Sequence, residues 1–271
     1  MIQYLLKKKK TKLLRQGVGK MENDKKIAVL IDADNVSDKY IKYIFDEISN
    51  HGTPTYKRIY GDWTKPQLAS WKNVLLNYSI TPIQQYSYTT GKNSTDSALI
   101  IDAMDILYSK NVDGFCIISS DSDFTRLAAR LREAGMYVVG MGEKKTPTPF
   151  ISACEKFKYL EVLAGSITNI NNINNIDEIL EKQHTPKEDG LTNLGELIKS
   201  IKNIITESSD EEGWANLGVV GNKLNMRYPD FDTRNYGYPK LSSFISSLNK
   251  FEIQSGKTNR GETLVRNKVK K

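Results

Sequence analysis

The sequence has few of the residues that support thiol or imidazole chemistry: its 271 residues include only two cysteines and two histidines. So few such residues exclude a Cys/His zinc cluster and a disulfide framework, and they fit a reducing compartment. No apolar run approaches the roughly 20 residues of a membrane-spanning helix, which argues against a membrane protein. We therefore expect a cytoplasmic protein with one large domain or two ordinary ones.

Acidic residues are missing from residues 1–20, where seven lysines and arginines lie. This segment accounts for the whole net charge of +7, so the remainder of the chain is close to neutral. It lacks the apolar core and cleavage site of a secretory signal. A basic arm can hold nucleic acid by counterion release. The alternative, which we favour, is a disordered arm over 1–24 or a start assigned too early, because Met21 opens a more ordinary N-terminus.

Strand-like and helix-like segments alternate between residues 25 and 165. Ile27–Ile31 and Phe115–Ile118 are continuously apolar, which is typical of strands buried on both faces of a parallel sheet. Further strands are predicted at 55–60, 81–86 and 137–140, and helices at 37–50, 67–76, 94–108 and 124–133. This alternation predicts an α/β domain with a Rossmann-like, mostly parallel sheet and helices on both faces.

The Asn-rich stretch 166–189 has few large apolar residues and is predicted to be a linker. Beyond it, helical segments begin near residues 194, 214 and 241, and a hairpin is predicted over 251–265 with its turn at 258–261. Three helices and a terminal hairpin predict a small α+β winged-helix domain. The sequence therefore predicts two domains, 25–165 and 190–271.

Carboxylates follow the two apolar strands. Asp32 and Asp34 come after the first strand, Asp121 and Asp123 after the central one, and Asp96 falls in the first turn of a helix. Open α/β sheets bind ligands at the carboxyl ends of their strands. Neighbouring carboxylates repel unless a cation or proton joins them. Each aspartate alone is more often a cap or turn residue, but together they predict a hard-oxygen site for Mg²⁺ or Mn²⁺.

Four motifs resemble the NYN domain, a branch of the PIN-like nucleases, in order and spacing; they are Ile31–Asn35, Thr90–Asp96, Ile118–Phe124 and Gly140–Thr146. The resemblance covers about 27–161 and implies a PIN-like fold with metal-dependent endonuclease activity, typically on RNA. It also implies four metal-binding acids, Asp32, Asp96, Asp121 and Asp123. Asn35 would orient Asp32 or the attacking water.

Other residues of this domain are predicted to contact substrate. Lys92 lies in the loop before Asp96, where it can meet a phosphate, and Ser120, beside Ser119, offers backbone and hydroxyl support. Trp63 either stacks an unpaired base or packs the helix at 67–76 onto the sheet. Asp102 and Asp105, further along the helix of Asp96, are expected on a solvated face.

The segments Trp214–Gly218 and Pro229–Leu241 resemble the OST-HTH or LOTUS domain, a winged helix associated with RNA binding and in some settings with protein partners. The resemblance implies that Arg234, Tyr236, Gly237 and Lys240 are candidate RNA contacts. The alternative for Tyr236 and Gly237 is a tight turn before a buried helix.

Three functions are compatible with these motifs. The first is a Mg²⁺- or Mn²⁺-dependent endoribonuclease that cuts by in-line water attack, with single-stranded DNA as a further possible substrate and a homodimer as a possible assembly. The second is an RNA-binding regulator that turns over poorly. The third is a haloacid-dehalogenase-like phosphatase, because Asp32–Val36 fits its Asp-x-Asp-x-Val start. The third reading leaves the helix start at Lys92–Asp96 without a role.

Overall fold

The computed structural model describes residues 25–86, 94–165, 192–255 and 262–268. The described part of the first domain contains six strands: β1 (Lys26–Asp32), β2 (Thr53–Gly61), β3 (Thr81–Gln84), β4 (Gly114–Ile118), β5 (Tyr137–Gly142) and β6 (Lys156–Tyr159). Its helices are α1 (Ile41–Ile48), α2 (Lys72–Leu75), α3 (Ser94–Ser109), α4 (Thr125–Glu133), α5 (Thr148–Ala153) and α6 (Leu160–Gly165).

The six strands form one sheet in the order β3-β2-β1-β4-β5-β6, and every neighbouring pair is parallel. The chain first builds outward from β1 to β3 and then returns to the other side of β1 with β4. The strand order therefore reverses between β1 and β4, which is where doubly wound sheets open a crevice for ligands. The predicted Rossmann-like α/β fold is confirmed.

Both faces of the sheet are covered, which explains the unbroken apolar runs. Along β1, Ala28 and Leu30 belong to the core on one face, whereas Val29 and Ile31 belong to the core on the other. Successive side chains of a strand point to opposite faces, so a strand that is buried on both faces is apolar at every position. Helix α3 contributes Leu99 to the first core.

Two parts of the first domain differ from the sequence prediction. The helix predicted at 67–76 is mostly a 3₁₀ turn, Pro66–Trp71, followed by the single turn of α2. The fully buried ring of Trp71 anchors this segment to the sheet. The elements after β5 were not predicted; β6 reads Lys-Phe-Lys-Tyr, and its alternation of polar and apolar residues extends over only four positions.

The second domain contains three described helices, α7 (Leu194–Ser208), α8 (Leu217–Arg227) and α9 (Leu241–Ser247). Strands β8 (Phe251–Ser255) and β9 (Thr263–Asn267) form an antiparallel hairpin, and β7 (Ala215–Asn216) adds a third strand beside β9. Helix α8 begins at Leu217 rather than 214, because Ala215 and Asn216 pair with β9 and Asn216 caps the helix. This small domain of helices and sheet matches the prediction.

Several predicted features lie outside the described residues: the basic arm 1–24, the loop with Lys92, the linker 166–189 and the hairpin turn at 258–261. Within the described ranges, no helix combines the length and the apolar character needed to cross a bilayer.

The second domain docks on the outer edge of β6. The Phe157 N–H donates a hydrogen bond to the Pro229 carbonyl oxygen at 2.8 Å, and the Tyr159 hydroxyl donates to Asp230 Oδ2 at 3.4 Å. Asp230 also accepts a hydrogen bond from Thr192 Oγ1. An uncovered strand edge presents unpaired backbone groups to other chains, so the segment around Pro229 protects the edge of the sheet.

A network of charged side chains joins the two domains beside this edge. Both terminal nitrogens of Arg234 donate to Glu47 Oε2 on α1, each at 3.1 Å, and the same guanidinium donates to Asp232. Lys158 of β6 forms an ion pair with Asp232, and its Nζ lies 3.9 Å from Glu47 Oε1. Burial alone would raise the pKa of Glu47, but His51, Arg234 and Lys158 lower it to about 2. The charged form of Glu47 is thus held by partners from both domains.

Replacing Arg234 should separate the domains. We expect Arg234→Ala to lower the free energy of unfolding by about 1 to 3 kcal/mol, less than for a fully buried pair because Arg234 is 31% exposed. We also expect a larger radius of gyration in small-angle X-ray scattering. Arg130→Ala, at an exposed position of α4, is the matched control. Equal scattering curves for Arg234→Ala and wild type would contradict this account of the docking.

Candidate metal centre

The centre of the sheet brings two acidic segments side by side. In the parallel pairing of β1 with β4, Ile31 lies opposite Ile118. Asp32 is the last residue of β1, and the segment from Ser119 to Asp123 follows β4 directly. The carboxyl ends of both strands therefore deliver their acids to the same edge, at the point where the strand order reverses.

Ser119 links these two segments. Its hydroxyl donates to Asp32 Oδ2 at 2.7 Å and accepts a hydrogen bond from the Asp121 N–H at 3.0 Å. The backbone of Ser119 is closely packed against β5, since a Cβ at Gly142 would lie 2.6 Å from the Ser119 carbonyl oxygen. A fully buried serine thus fixes the spacing between Asp32 and Asp121.

Asp121 and Asp123 are held in a short turn. Asp121 caps the 3₁₀ turn Ser122–Phe124, and its Oδ1 accepts the Asp123 N–H at 2.9 Å. The turn is anchored by the buried ring of Phe124, which belongs to the core. The turn therefore presents the carboxylates of Asp121 and Asp123 together.

Asp96 completes a group of three carboxylates. Ligand oxygens of Asp96, Asp121 and Asp123 all lie within 4.8 Å of one another. Asp96 stands in the first turn of α3, where the helix dipole favours a negative charge. Two segments that are distant in sequence thus place three hard oxygen donors around one point.

The group is electrostatically unfavourable without a cation. Burial and the nearby charges of Asp32, Asp121 and Asp123 raise the pKa of the Asp96 carboxyl to about 6. Burial likewise raises the pKa of Asp32, although hydrogen bonds from Ser119 and Asn35 oppose the shift. Oxygen donors of this kind and spacing fit a divalent ion such as Mg²⁺ or Mn²⁺, which would relieve the repulsion.

Asp32 stands beside this group rather than in it. Its side chain is fully buried and accepts three hydrogen bonds, from Ser119 Oγ, Asn35 Nδ2 and the Asp34 N–H. An ionised carboxylate has about four acceptor positions, so one remains for another partner. The hydrogen bond from Asn35 to Asp32, at 2.8 Å, fits the first of the two roles that the resemblance implies for Asn35, and that role stays a prediction.

A family model described as "NYN domain" matches residues 26–161, half of the chain. The chain belongs to the NYN domain family. A second model, the OST-HTH/LOTUS domain, matches residues 192–263. No curated protein matches this sequence. Among solved structures, a protein of unknown function from Vibrio parahaemolyticus is 17% identical, covering 51% of this chain and 94% of that chain, with a TM-score of 0.43.

Two predicted substrate contacts of the NYN domain are engaged in the fold. Ser120 is buried, and its hydroxyl accepts a hydrogen bond from the Glu143 N–H at 2.9 Å. The indole nitrogen of Trp63 donates to the Ile83 carbonyl oxygen at 3.1 Å, and the ring packs on the core. Substrate binding by Ser120 and Trp63 stays a prediction, and the geometry favours structural roles for both.

The predicted RNA contacts of the OST-HTH/LOTUS domain divide into two kinds. Arg234 belongs to the interdomain network, and Tyr236 donates to the Thr192 carbonyl oxygen and packs against Phe244. Gly237 has a φ of 83°, so the tight-turn alternative describes this segment better. Lys240 is exposed immediately before α9, where a ligand can reach it.

Asp102 corrects one expectation. It was expected on a solvated face of α3, but its two carboxylate oxygens accept hydrogen bonds from Arg58 and from the Tyr60 hydroxyl of β2. Arg58 and Tyr60 are two residues apart in β2, so their side chains point to the same face of the sheet. This pair of hydrogen-bond donors could have predicted an acidic partner on that face. Asp105, in contrast, is exposed as expected.

Removing one acid of the metal centre should stabilise the ion-free protein. A raised pKa means that the ionised carboxyl costs folding free energy; this cost is absent at low pH and grows as the pH rises towards about 6. In EDTA at pH 8, we expect Asp96→Asn to gain about 1 to 2 kcal/mol of unfolding free energy, after allowance for solvent screening. Urea titration measures this gain.

The gain should shrink towards about pH 4, where Asp96 is neutral in the folded protein. Adding Mg²⁺ should stabilise the wild type more than Asp96→Asn. Asp105→Asn, an exposed position of the same helix, is the control and should change neither result. A loss of stability in Asp96→Asn at pH 8 would contradict the repulsion between these carboxylates.

Proposed function

We propose that this protein is a Mg²⁺- or Mn²⁺-dependent endoribonuclease whose C-terminal domain holds the RNA. The NYN domain is nuclease-like, and the OST-HTH/LOTUS domain is an RNA-binding module. The observation that supports hydrolysis is the convergence of Asp96, Asp121 and Asp123 within 4.8 Å. A cytoplasmic location, cleavage of single-stranded DNA and a homodimer stay predictions.

The residues of the site have distinct tasks in this proposal. Asp96, Asp121 and Asp123 would hold the ion, and Asp32, oriented by Asn35 and Ser119, would supply a further oxygen. When bound, the ion supplies charge stabilisation at the scissile phosphate and makes water a better nucleophile. In-line attack of water would leave a 5′-phosphate and a 3′-hydroxyl, as the family's chemistry implies.

The phosphatase alternative has little support. Its first aspartate must attack phosphorus as a nucleophile. Asp32, the residue in that position, is fully buried and accepts hydrogen bonds from three donors. A carboxylate held in this way is suited to orientation rather than to covalent catalysis. The nuclease proposal also gives a role to Asp96 and to the segment after β4, which the phosphatase alternative does not.

Asp121→Asn tests the proposal. With a fluorescent 20-nucleotide RNA in Mg²⁺ or Mn²⁺, we expect the cleavage rate to fall by at least about 100-fold. Mutating even a residue that only hydrogen-bonds to a metal ligand typically lowers metal affinity or activity by about 10- to 100-fold. Asp105→Asn should cleave at the wild-type rate, since Asp105 is exposed on the same helix as Asp96. EDTA should stop the reaction.

Equal cleavage by wild type and Asp121→Asn would rule out this site as the source of activity. RNA binding by the wild type without any metal-dependent cleavage would instead favour the RNA-binding regulator. The two outcomes are separated by measuring binding and cleavage on the same RNA.

Ser119→Ala should weaken cleavage by about 10- to 100-fold without unfolding the protein, because the hydroxyl positions Asp32 and the Asp121 backbone. The loss should be accompanied by a weaker apparent affinity for Mn²⁺, measured by titrating the rate. Ser122→Ala, an exposed serine in the adjoining turn, serves as the control. Unchanged activity in Ser119→Ala would show that the buried serine does not position the acids.

A further inference from the structure

A cleft of about 740 Å³ lies between the two domains, away from the carboxylates. On the NYN side it is lined by residues at the amino ends of the strands: Lys25 precedes β1, Tyr137 opens β5 and Lys156 opens β6. On the other side it is lined by the last turns of α8, including Arg227. At about 3.3 Å per residue, the seven residues of β1 put this edge roughly 20 Å from the edge that carries the acids.

The charge of the cleft is strongly biased. Among the described residues that line it, four are lysine or arginine and one, Glu155, is acidic; the basic residues are Lys25, Arg132, Lys156 and Arg227. Arg227 is paired with Glu207 at 2.9 Å, so its charge is partly neutralised. Lys156 forms no ion pair with another described residue. The remaining positive charge lies mainly on the NYN side of the cleft and favours an anion.

Uncharged polar groups surround these cations. Three asparagines, Asn50, Asn222 and Asn225, line the cleft from both sides. Their amides can donate to phosphate oxygens and both donate to and accept from ribose hydroxyls. Pockets for small molecules are lined mostly by apolar side chains with a few polar groups. This cleft is instead lined mainly by polar and charged side chains. Its chemistry therefore favours a phosphate-rich strand over a small apolar ligand.

The cleft offers few side chains that could recognise nucleotide bases. The ring of Tyr137 lies beneath the Lys25 ammonium, 4.1 Å from the ring centroid, so this face is already covered. The imidazole of His51, which also lines the cleft, is buried; its Nδ1 is hydrogen-bonded to the Tyr137 hydroxyl at 3.0 Å, and its Nε2 lies 3.4 Å from Glu47 Oε1. Sequence-specific recognition of single strands depends on aromatic stacking and on hydrogen bonds to base edges. Cations and amides without a free ring instead contact the backbone, which carries no sequence information.

The two walls are held in place before any ligand arrives. The Phe157–Pro229 hydrogen bond and the Glu47–Arg234 ion pair fix the second domain against β6, next to the cleft. A preformed site avoids the ordering cost of binding. We propose that this interdomain cleft binds the phosphodiester backbone of a single-stranded RNA, independently of its base sequence. This site is separate from the metal centre and does not depend on cleavage.

Binding of a labelled U₂₀ RNA to the full chain in EDTA tests this site without any metal-dependent cleavage. The double variant Lys25→Gln/Lys156→Gln should bind more weakly, and the slope of log affinity against log salt should fall by about 1.4, or about 0.7 per lysine. The control Lys72→Gln/Lys199→Gln removes two exposed lysines outside the cleft and should leave the slope unchanged.

An unchanged slope in the cleft variant, or an equal fall in the control, would overturn the proposal. So would competition by AMP as effective as that by U₂₀, which would assign the cleft to a mononucleotide. A preference of more than about tenfold between U₂₀ and a mixed-sequence RNA that is lost in the cleft variant would overturn sequence independence. If the double variant unfolds at a lower temperature than wild type, Lys156→Gln alone should lower the slope by about 0.7. Failure of the nuclease proposal leaves these outcomes unaffected, since no cleavage is measured.

Discussion

The parallel pairing of β1 with β4 is the constraint on which this protein depends. It places the end of the first strand beside the end of a strand that lies more than eighty residues later. Both strands are buried on both faces, so their register cannot slip without exposing apolar side chains. The acids that follow them are therefore forced together, and the hydrophobic core supplies the free energy that keeps like charges close.

Much of the fold could be predicted because its strongest signals are local. The runs Ile27–Ile31 and Phe115–Ile118 are apolar at every position, and such runs have few alternatives to a buried strand. Strand β6 gave no such signal, since it has only four residues and two of them are lysines. Its environment is set by the second domain, which no pattern within the strand reveals.

The acids of the site were predictable because each follows a strand or begins a helix at one edge of the sheet. The separate positions of these acids within the site could not be predicted from the sequence. Only the structure separates Asp32, which is enclosed by Ser119 and Asn35, from the three carboxylates that gather nearby. Arg234 shows the opposite limit: the resemblance to the OST-HTH/LOTUS domain implied an RNA contact, yet its partner is Glu47, 187 residues away in sequence. Ion pairs between domains leave no periodic trace in a sequence.

The coverage of β6 by the segment around Pro229 has a consequence for where this protein can be divided. The family match ends at residue 161, but the sheet acquires its last hydrogen-bond acceptor from residue 229. A fragment that stops at the family boundary would leave the Phe157 N–H facing water and Glu47 without its guanidinium partner. The length of chain that the family model covers is therefore shorter than the length that completes the edge of this sheet.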